Sequence, residues 1–279
     1  MPDRAKAARD LLAFYAEAGV DMAIGEEAND LLAPPVKPAA PLPPVSPPSQ
    51  RAAGQKVGLS QLDLGISSAR SAPAPVPPDA AVMAAREAAR SAATMEELRA
   101  ILEKFEGCAL RSTATQLVFA DGNPKARVMF VGEGPGYEED KQGLPFVGRS
   151  GKLLDQMLRA IGLDRTQVYI ANIVPWRPPG NRTPTPQEAA ICLPFVLRQI
   201  ALCDPDILVC LGGPSAQTLL SVKEGIMKLR GRWFAFNSGA RDIRAMPTLH
   251  PAYLLRTPLA KRNAWRDFLA IKKALSQQA

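Results

Sequence analysis

The chain has 279 residues, 47% of them hydrophobic, enough for one well-sized core with material to spare. No apolar run approaches the roughly 18 residues that a bilayer span requires. Met1-Pro2-Asp3-Arg4 lacks the basic-then-apolar pattern of a secretory signal, so a cytoplasmic or nucleoid-associated location is expected. The formal net charge of +7 and pI near 9.4 favour polyanionic partners such as nucleic acid, although a basic enzyme with no such partner has the same total.

Residues 1–33 read as a helical segment, because Leu11, Leu12, Tyr15, Ala18 and Met22 recur at helical spacing. It either docks on a partner or packs on its own chain. Residues 34–78 are crowded with prolines and hold no aromatic residue, so they cannot bury enough apolar surface to offset chain entropy. This segment is read as a disordered, partly polyproline linker, with recognition by a protein partner as the alternative. Residues 79–105 are rich in Ala, Glu, Arg and Leu and predict leading helices. Asp79 and Thr94 are candidate N-caps, and Thr94-Met95-Glu96-Glu97 fits a capping box.

From about residue 106 to the end the pattern is α/β. Strands are expected at Arg127–Val131, Val168–Ile173, Ile207–Leu211 and Arg244–Leu249. Helices are expected at Ser150–Ile161, from Thr185-Pro186-Gln187-Glu188 to Leu202, at Pro214–Leu220 and over 258–276. Alternating strands and helices imply a three-layer sandwich around a mostly parallel, four-stranded sheet. Ligands are then expected at the carboxyl ends of its strands.

The loops at those ends hold the unusual residues. After the first strand come Gly132-Glu133-Gly134-Pro135-Gly136-Tyr137-Glu138-Glu139-Asp140 and Gly143-Leu144-Pro145-Phe146-Val147-Gly148. The closely spaced glycines let backbone N–H groups approach a ligand, and the acidic run argues against a phosphate there. Asn172 ends the second strand. Its amide both donates and accepts, which suits a base edge as well as a turn cap. Trp176-Arg177-Pro178-Pro179-Gly180-Asn181-Arg182 is a stiff basic loop, and Gly212-Gly213-Pro214-Ser215 is read as a structural turn. His250, the only histidine, ends the fourth strand beside a basic cluster that spans Lys228 to Lys273, the expected footprint for phosphate contacts. The four cysteines, Cys108, Cys192, Cys203 and Cys210, form no C-x-x-C pair and are expected to stay reduced thiols.

Taken together, Gly122-Asn123-Pro124, Gly132-Glu133-Gly134-Pro135-Gly136, the run Gly143 to Gly151, Arg177 to Arg182 and His250-Pro251 resemble the family 4 uracil-DNA glycosylases over roughly Cys108–Leu275. The resemblance implies a base-excision-repair enzyme that flips uracil from DNA and hydrolyses its N-glycosidic bond. It implies a uracil pocket formed by Gly134, Pro135 and Gly136, with Phe146 stacking on the base and Asn172 reading its edge. Glu139 would exclude a C5 methyl group, His250 would face O2 as the catalytic donor, and Glu133 would position water. Arg149, Arg177, Arg182, Lys261 and Arg262 would contact DNA, and Leu254, Leu255 and Arg256 would lie on the loop that probes the duplex.

The family typically carries a [4Fe–4S] cluster on four cysteines. Here only Cys108 and Cys192 stand at those positions, with Phe105 and Trp176 at the other two. No cofactor and no metal is therefore expected, the cluster being the alternative. The expected partner is uracil-containing DNA, bound by a monomer. A uracil-DNA binder without turnover, a nucleotide-binding doubly wound domain and an interaction protein built around the Pro-rich arm remain as alternative readings.

Overall fold

The structure, a computed structural model, describes residues 78–277. The expectations for residues 1–33 and for nearly all of the Pro-rich segment lie outside the described residues. The chain begins with α1 (Pro78–Ser91), α2 (Met95–Lys104) and the short α3 (Leu110–Thr113). Then follow β1 (Asp121–Gly122), β2 (Val128–Gly132), α4 (Tyr137–Gln142), α5 (Arg149–Ala160), β3 (Val168–Asn172) and α6 (Pro186–Cys203). The last part is β4 (Ile207–Leu211), α7 (Gly213–Leu220), α8 (Ile226–Leu229), β5 (Phe234–Asn237), β6 (Asp242–Thr248), α9 (Pro251–Arg256) and α10 (Lys261–Ser276).

The sheet has six strands in the order β1-β3-β2-β4-β6-β5, not four. The four expected strands form its parallel centre, and β1 and β5 add antiparallel edges. Two residues of β1 carry no alternation to read. Only Phe236 of β5 is buried, as suits an edge strand.

Alternation along the central strands explains the layers. Val128, Phe130, Val168, Ile170, Ile207, Val209 and Met246 face one way and meet Leu154 and Leu158 of α5 and Phe268 and Ile271 of α10. Met129, Val131, Tyr169, Ala171, Leu208, Cys210 and Ala245 face the other way and meet α1, α2, α6 and α7. Both faces are thus covered, and the strands read as continuous apolar runs. The leading helices belong to this domain, because the Arg198 guanidinium of α6 donates to the Ala92 carbonyl at 2.6 and 2.9 Å.

The caps follow the sequence with one adjustment. Thr185 and Glu188 form a reciprocal capping box at the start of α6. Thr94 accepts from Glu97 N–H, but the Glu97 carboxylate takes the N–H of Ala93, one residue before the expected partner. Asp79 lies inside the first turn of α1 and is not its cap.

The chain runs from β2 to β3 on one side and returns to β4 on the other, so the carboxyl end of β2 is a topological switch point. The neighbouring end of β6 is fixed from the opposite layer. Asp267 of α10, 2% exposed, accepts from the Thr248 hydroxyl at 2.7 Å and pairs with Arg230. Replacing Asp267 with alanine strands a largely buried guanidinium and frees Thr248. Asp267→Ala is expected to lower unfolding free energy by roughly 3 kcal/mol, read as the shift in a urea transition. A loss below about 1 kcal/mol would show that this tie is dispensable.

Candidate active site

A cavity of about 490 Å³ opens at the carboxyl ends of the parallel strands. It is lined by the loops after β2, β3, β4 and β6, and so brings together Glu133, Gly134, Pro135, Gly136, Glu139, Phe146, Asn172, Arg182, His250 and Arg256. Gly212, Gly213 and Pro214 line it too, so the turn read as purely structural forms part of the wall. Gly212 has φ of 93°, and a Cβ there would stand 3.1 Å from His250 Cβ. Glycine therefore supplies both the turn and the room for the imidazole. Leu249, Tyr253 and Ile226 add apolar lining that the sequence reading did not single out.

The register sets the floor of the cavity. Gly132 pairs with Asn172 across β2 and β3. A Cβ on Gly132 would collide with both Asn172 Oδ1 and the Phe146 ring, so the absence of a side chain lets amide and aromatic ring meet. Phe146 adopts φ of 54°, a left-handed conformation that a bulky residue keeps only when its surroundings enforce it. They do so through Arg165, which donates to the carbonyls of Pro145 and Phe146 and pairs with Asp121 and Asp155. The ring centroid lies 5.5 Å from that of His250, inclined by 32°.

Glu139 is 7% exposed and engages three backbone amides. One oxygen accepts from Gly136 N–H at 3.1 Å, and the other accepts from Val147 and Gly148 N–H at 3.0 and 2.9 Å. Its carboxylate therefore joins the two halves of the Gly-rich loop. Asn172 is also buried, and its Oδ1 is the one buried side-chain oxygen or nitrogen among the described residues without a hydrogen-bond partner.

His250 caps α9, its Nδ1 accepting from Ala252 N–H at 3.1 Å. With Nδ1 accepting, the neutral ring carries its proton on Nε2 and can donate from there. Burial, reinforced by the positive charge of Arg256 and opposed by Glu139, pushes the pKa down to about 4. Glu133 lines the same cavity, and burial raises its carboxyl above the usual range against a hydrogen bond from Thr183.

The expected DNA contacts divide. Arg149, Arg256, Lys261 and Arg262 are exposed at this end of the sheet, on α5, α9 and α10. Arg177 pairs with Asp140 at 3.8 Å, bonds Asn181 at 2.6 Å and lies over the Tyr137 ring. Arg182 makes a two-pronged pair with Glu188 at 2.7 and 2.8 Å while remaining 43% exposed. The probing loop proves to be a helix, α9. Leu254 is 1% exposed and packs among Leu249, Ala260 and Ala264, so the expected DNA contact from this residue is corrected. Leu255 is half-buried and Arg256 exposed, while Leu259, just beyond α9, is 88% exposed. The basic run from Lys228 to Lys273 is not one patch. Arg241 pairs with Asp204 and Asp206 at the amino end of β6, and Lys272 and Lys273 lie at the far end of α10.

The family resemblance puts cluster cysteines at four positions, here Phe105, Cys108, Trp176 and Cys192. Cys108 and Cys192 bring two sulfurs to 3.7 Å. Phe105 packs its edge against Phe195 with centroids 5.0 Å apart, and Trp176 is 2% exposed. Two thiols and two apolar side chains do not fit a cluster that needs four thiolates. Among the described residues no group of three or more His, Cys, Asp or Glu could hold a metal ion.

A three-layer α/β domain thus carries, at its topological switch point, a cavity that brings together an aromatic ring, a buried amide and a half-buried imidazole. The model of the uracil DNA glycosylase superfamily matches residues 119–269. Type-4 uracil-DNA glycosylases are similar: that of Thermotoga maritima is 46% identical over 168 residues, 58% of this chain and 86% of its own length. That of Sulfurisphaera tokodaii is 40% identical over 185 residues, 64% of this chain and 84% of its own length. That of Archaeoglobus fulgidus is 38% identical over 184 residues, 63% and 92%. The chain belongs to the uracil-DNA glycosylase superfamily, on its type-4 branch.

The sole histidine makes the protonation of the site directly observable. The imidazole resonance of His250 is expected to titrate near pH 4. Its ordinary value is 6.5, so the stability present above pH 6.5 is lost as pH falls from there through about 4. A midpoint at or above 6.5 in an NMR titration would mean that the ring is not held neutral by burial.

Proposed function

We propose that the domain is a monofunctional uracil-DNA glycosylase of base excision repair. It accepts a uracil flipped from DNA into the strand-end cavity, hydrolyses the N-glycosidic bond and leaves an abasic site. The observation that carries this reading is Asn172 Oδ1, a buried acceptor without a partner in the wall of the cavity. An unsatisfied buried acceptor costs about 1–3 kcal/mol, which a ligand N–H recovers. Uracil offers N3–H there, flanked by carbonyl oxygens that the Asn172 amide can meet. Cytosine offers a lone pair at N3 and is rejected.

The remaining groups take roles consistent with their surroundings. The Phe146 ring stacks on the base, a contact worth about 1–3 kcal/mol. The Gly134, Pro135 and Gly136 segment lines its edge. Glu139, whose oxygens are occupied by backbone amides, acts as a wall against a substituent at C5. As the glycosidic bond breaks, negative charge gathers on the uracil and its O2. The Nε2–H of neutral His250 stabilises that charge as an oxyanion-hole donor does, a contribution of roughly 2.7–4 kcal/mol. Glu133, its carboxyl raised by burial, positions the water that attacks the sugar cation.

The DNA backbone is held by Arg149, Arg256, Lys261 and Arg262. Arg177 and Arg182 contribute from positions already tied to carboxylates. Extruding a nucleotide leaves a gap in the stack, and the exposed Leu259 together with Leu255 supplies the apolar filler in place of Leu254. The reaction runs without a [4Fe–4S] cluster, in a monomer of the cytoplasm, with the segment before Pro78 serving as a tether or a docking arm.

The test is an oligonucleotide with a single uracil, followed by alkaline cleavage at abasic sites. Wild type is expected to cleave, while His250→Ala and Asn172→Ala lose on the order of 10²–10³-fold in single-turnover rate. Iron content of the same preparation is expected to be far below stoichiometric. No cleavage by folded wild-type protein overturns the enzymatic reading, and stoichiometric iron overturns its cluster-free form. Leu259→Ala is expected to slow excision from duplex DNA by about tenfold while sparing a single strand. Equal effects on both substrates would remove Leu259 from base extrusion.

A further inference from the structure

We infer that Cys108 and Cys192 form a redox-responsive dithiol that closes to a disulfide when the protein meets a peroxide. The inference stands on the mismatch at the cluster positions and does not depend on the uracil reading.

The geometry singles out this pair. The Cys192 thiol donates to the Cys108 sulfur at 3.7 Å, so the two sulfurs are in van der Waals contact, and they lie 84 residues apart in sequence. The other two thiols face no sulfur. Cys203 donates to the Ala126 carbonyl at 3.5 Å, and Cys210 sits in the middle layer on β4. A disulfide needs the sulfurs about 2.05 Å apart. Cys108 lies in the irregular connection between α2 and α3, where backbone can yield, whereas Cys192 is fixed within α6.

Access is also asymmetric. A surface cavity of about 510 Å³ is lined by Cys108, Ala109, Arg111, Leu117 and Trp176. Cys108 is itself only 2% exposed but lines this cavity, whereas Cys192, at 0%, does not. A small oxidant therefore meets Cys108 first. The Cys108 thiolate attacks one oxygen of hydrogen peroxide, the O–O bond breaks and one water leaves, giving a sulfenic acid. The Cys192 sulfur then attacks the Cys108 sulfur, the S–O bond breaks and a second water leaves. Two thiols lose two electrons and two protons, and one peroxide becomes two waters. The product ties α6 to the end of the leading helices, linking elements whose remaining contacts are apolar packing and the Arg198–Ala92 hydrogen bonds.

The experiment treats the full-length protein with hydrogen peroxide, blocks residual thiols by alkylation after unfolding and maps the peptides. The expected result is a mass loss of ~2 Da, one crosslinked peptide pair joining Cys108 to Cys192, and alkylated Cys203 and Cys210. The thermal midpoint should rise by roughly 5–10 °C over the thiol-reduced sample, because a long loop is closed in the unfolded chain. In Cys192→Ser the reaction should stop at a Cys108 sulfenic acid that a dimedone probe captures. Two free thiols, a Cys108 sulfinic acid beside free Cys192, or a crosslink that lowers the midpoint would each overturn the proposal. If Cys192→Ser does not fold, the wild-type peptide map decides alone.

Discussion

The carboxylate of Glu139 is the point on which the site hangs. Its two oxygens gather three N–H groups from both halves of the loop after β2. With Arg165, which holds the Pro145 and Phe146 carbonyls, that clamp fixes the turn containing Phe146, whose left-handed backbone could not persist without support. The ring then rests over Gly132, at the register position of Asn172, and beside His250. A charge placed to organise backbone thus arranges an aromatic surface, an amide and an imidazole around one space. The same charge favours protonation of His250, while desolvation and Arg256 oppose it more strongly.

The imidazole of His250 and the carboxyl of Glu133 illustrate how one environment separates two titrations. Burial disfavours the charged form of each group, lowering the pKa of the imidazole and raising that of the Glu133 carboxyl. The histidine is thereby kept as a neutral donor, its tautomer set by the N–H of Ala252. No acidic partner is needed for that orientation, because the helix that follows provides the donor. The cost is a buried Asn172 acceptor without a hydrogen-bond partner, the kind of local expense that a bound ligand relieves.

Much of this was legible beforehand, for identifiable reasons. The four central strands are apolar throughout because both faces are covered, and such runs bounded by glycine and proline stand out in a sequence. The capping box at Thr185 named the start of α6 to the residue. Asn172, His250 and the Gly-rich loop were visible as polar or permissive residues at strand ends. What escaped depended on contacts between distant segments. The edge strands β1 and β5 are too short or too exposed to alternate clearly. Leu254 turned inward because α9 continues where a loop was expected, and the helical period puts it beside Leu249 and Ala264. Arg177 and Arg182 looked free in sequence, but their carboxylate partners come from α4 and α6. The basic run from Lys228 to Lys273 looked continuous only because sequence does not show that β6 and α10 traverse the whole sheet.

The Arg198–Ala92 hydrogen bonds carry a consequence for how the molecule can be divided. The region matched by the family model begins at residue 119, yet the layer that seals one face of the sheet begins with α1. Ala85, Ala89, Leu98 and Leu102 are as deeply covered as the strands themselves. The smallest autonomous piece is therefore larger than the recognisable one. A truncation at Pro78 would leave a closed body, whereas one at residue 106 would bare an oily flank and yield a sticky fragment.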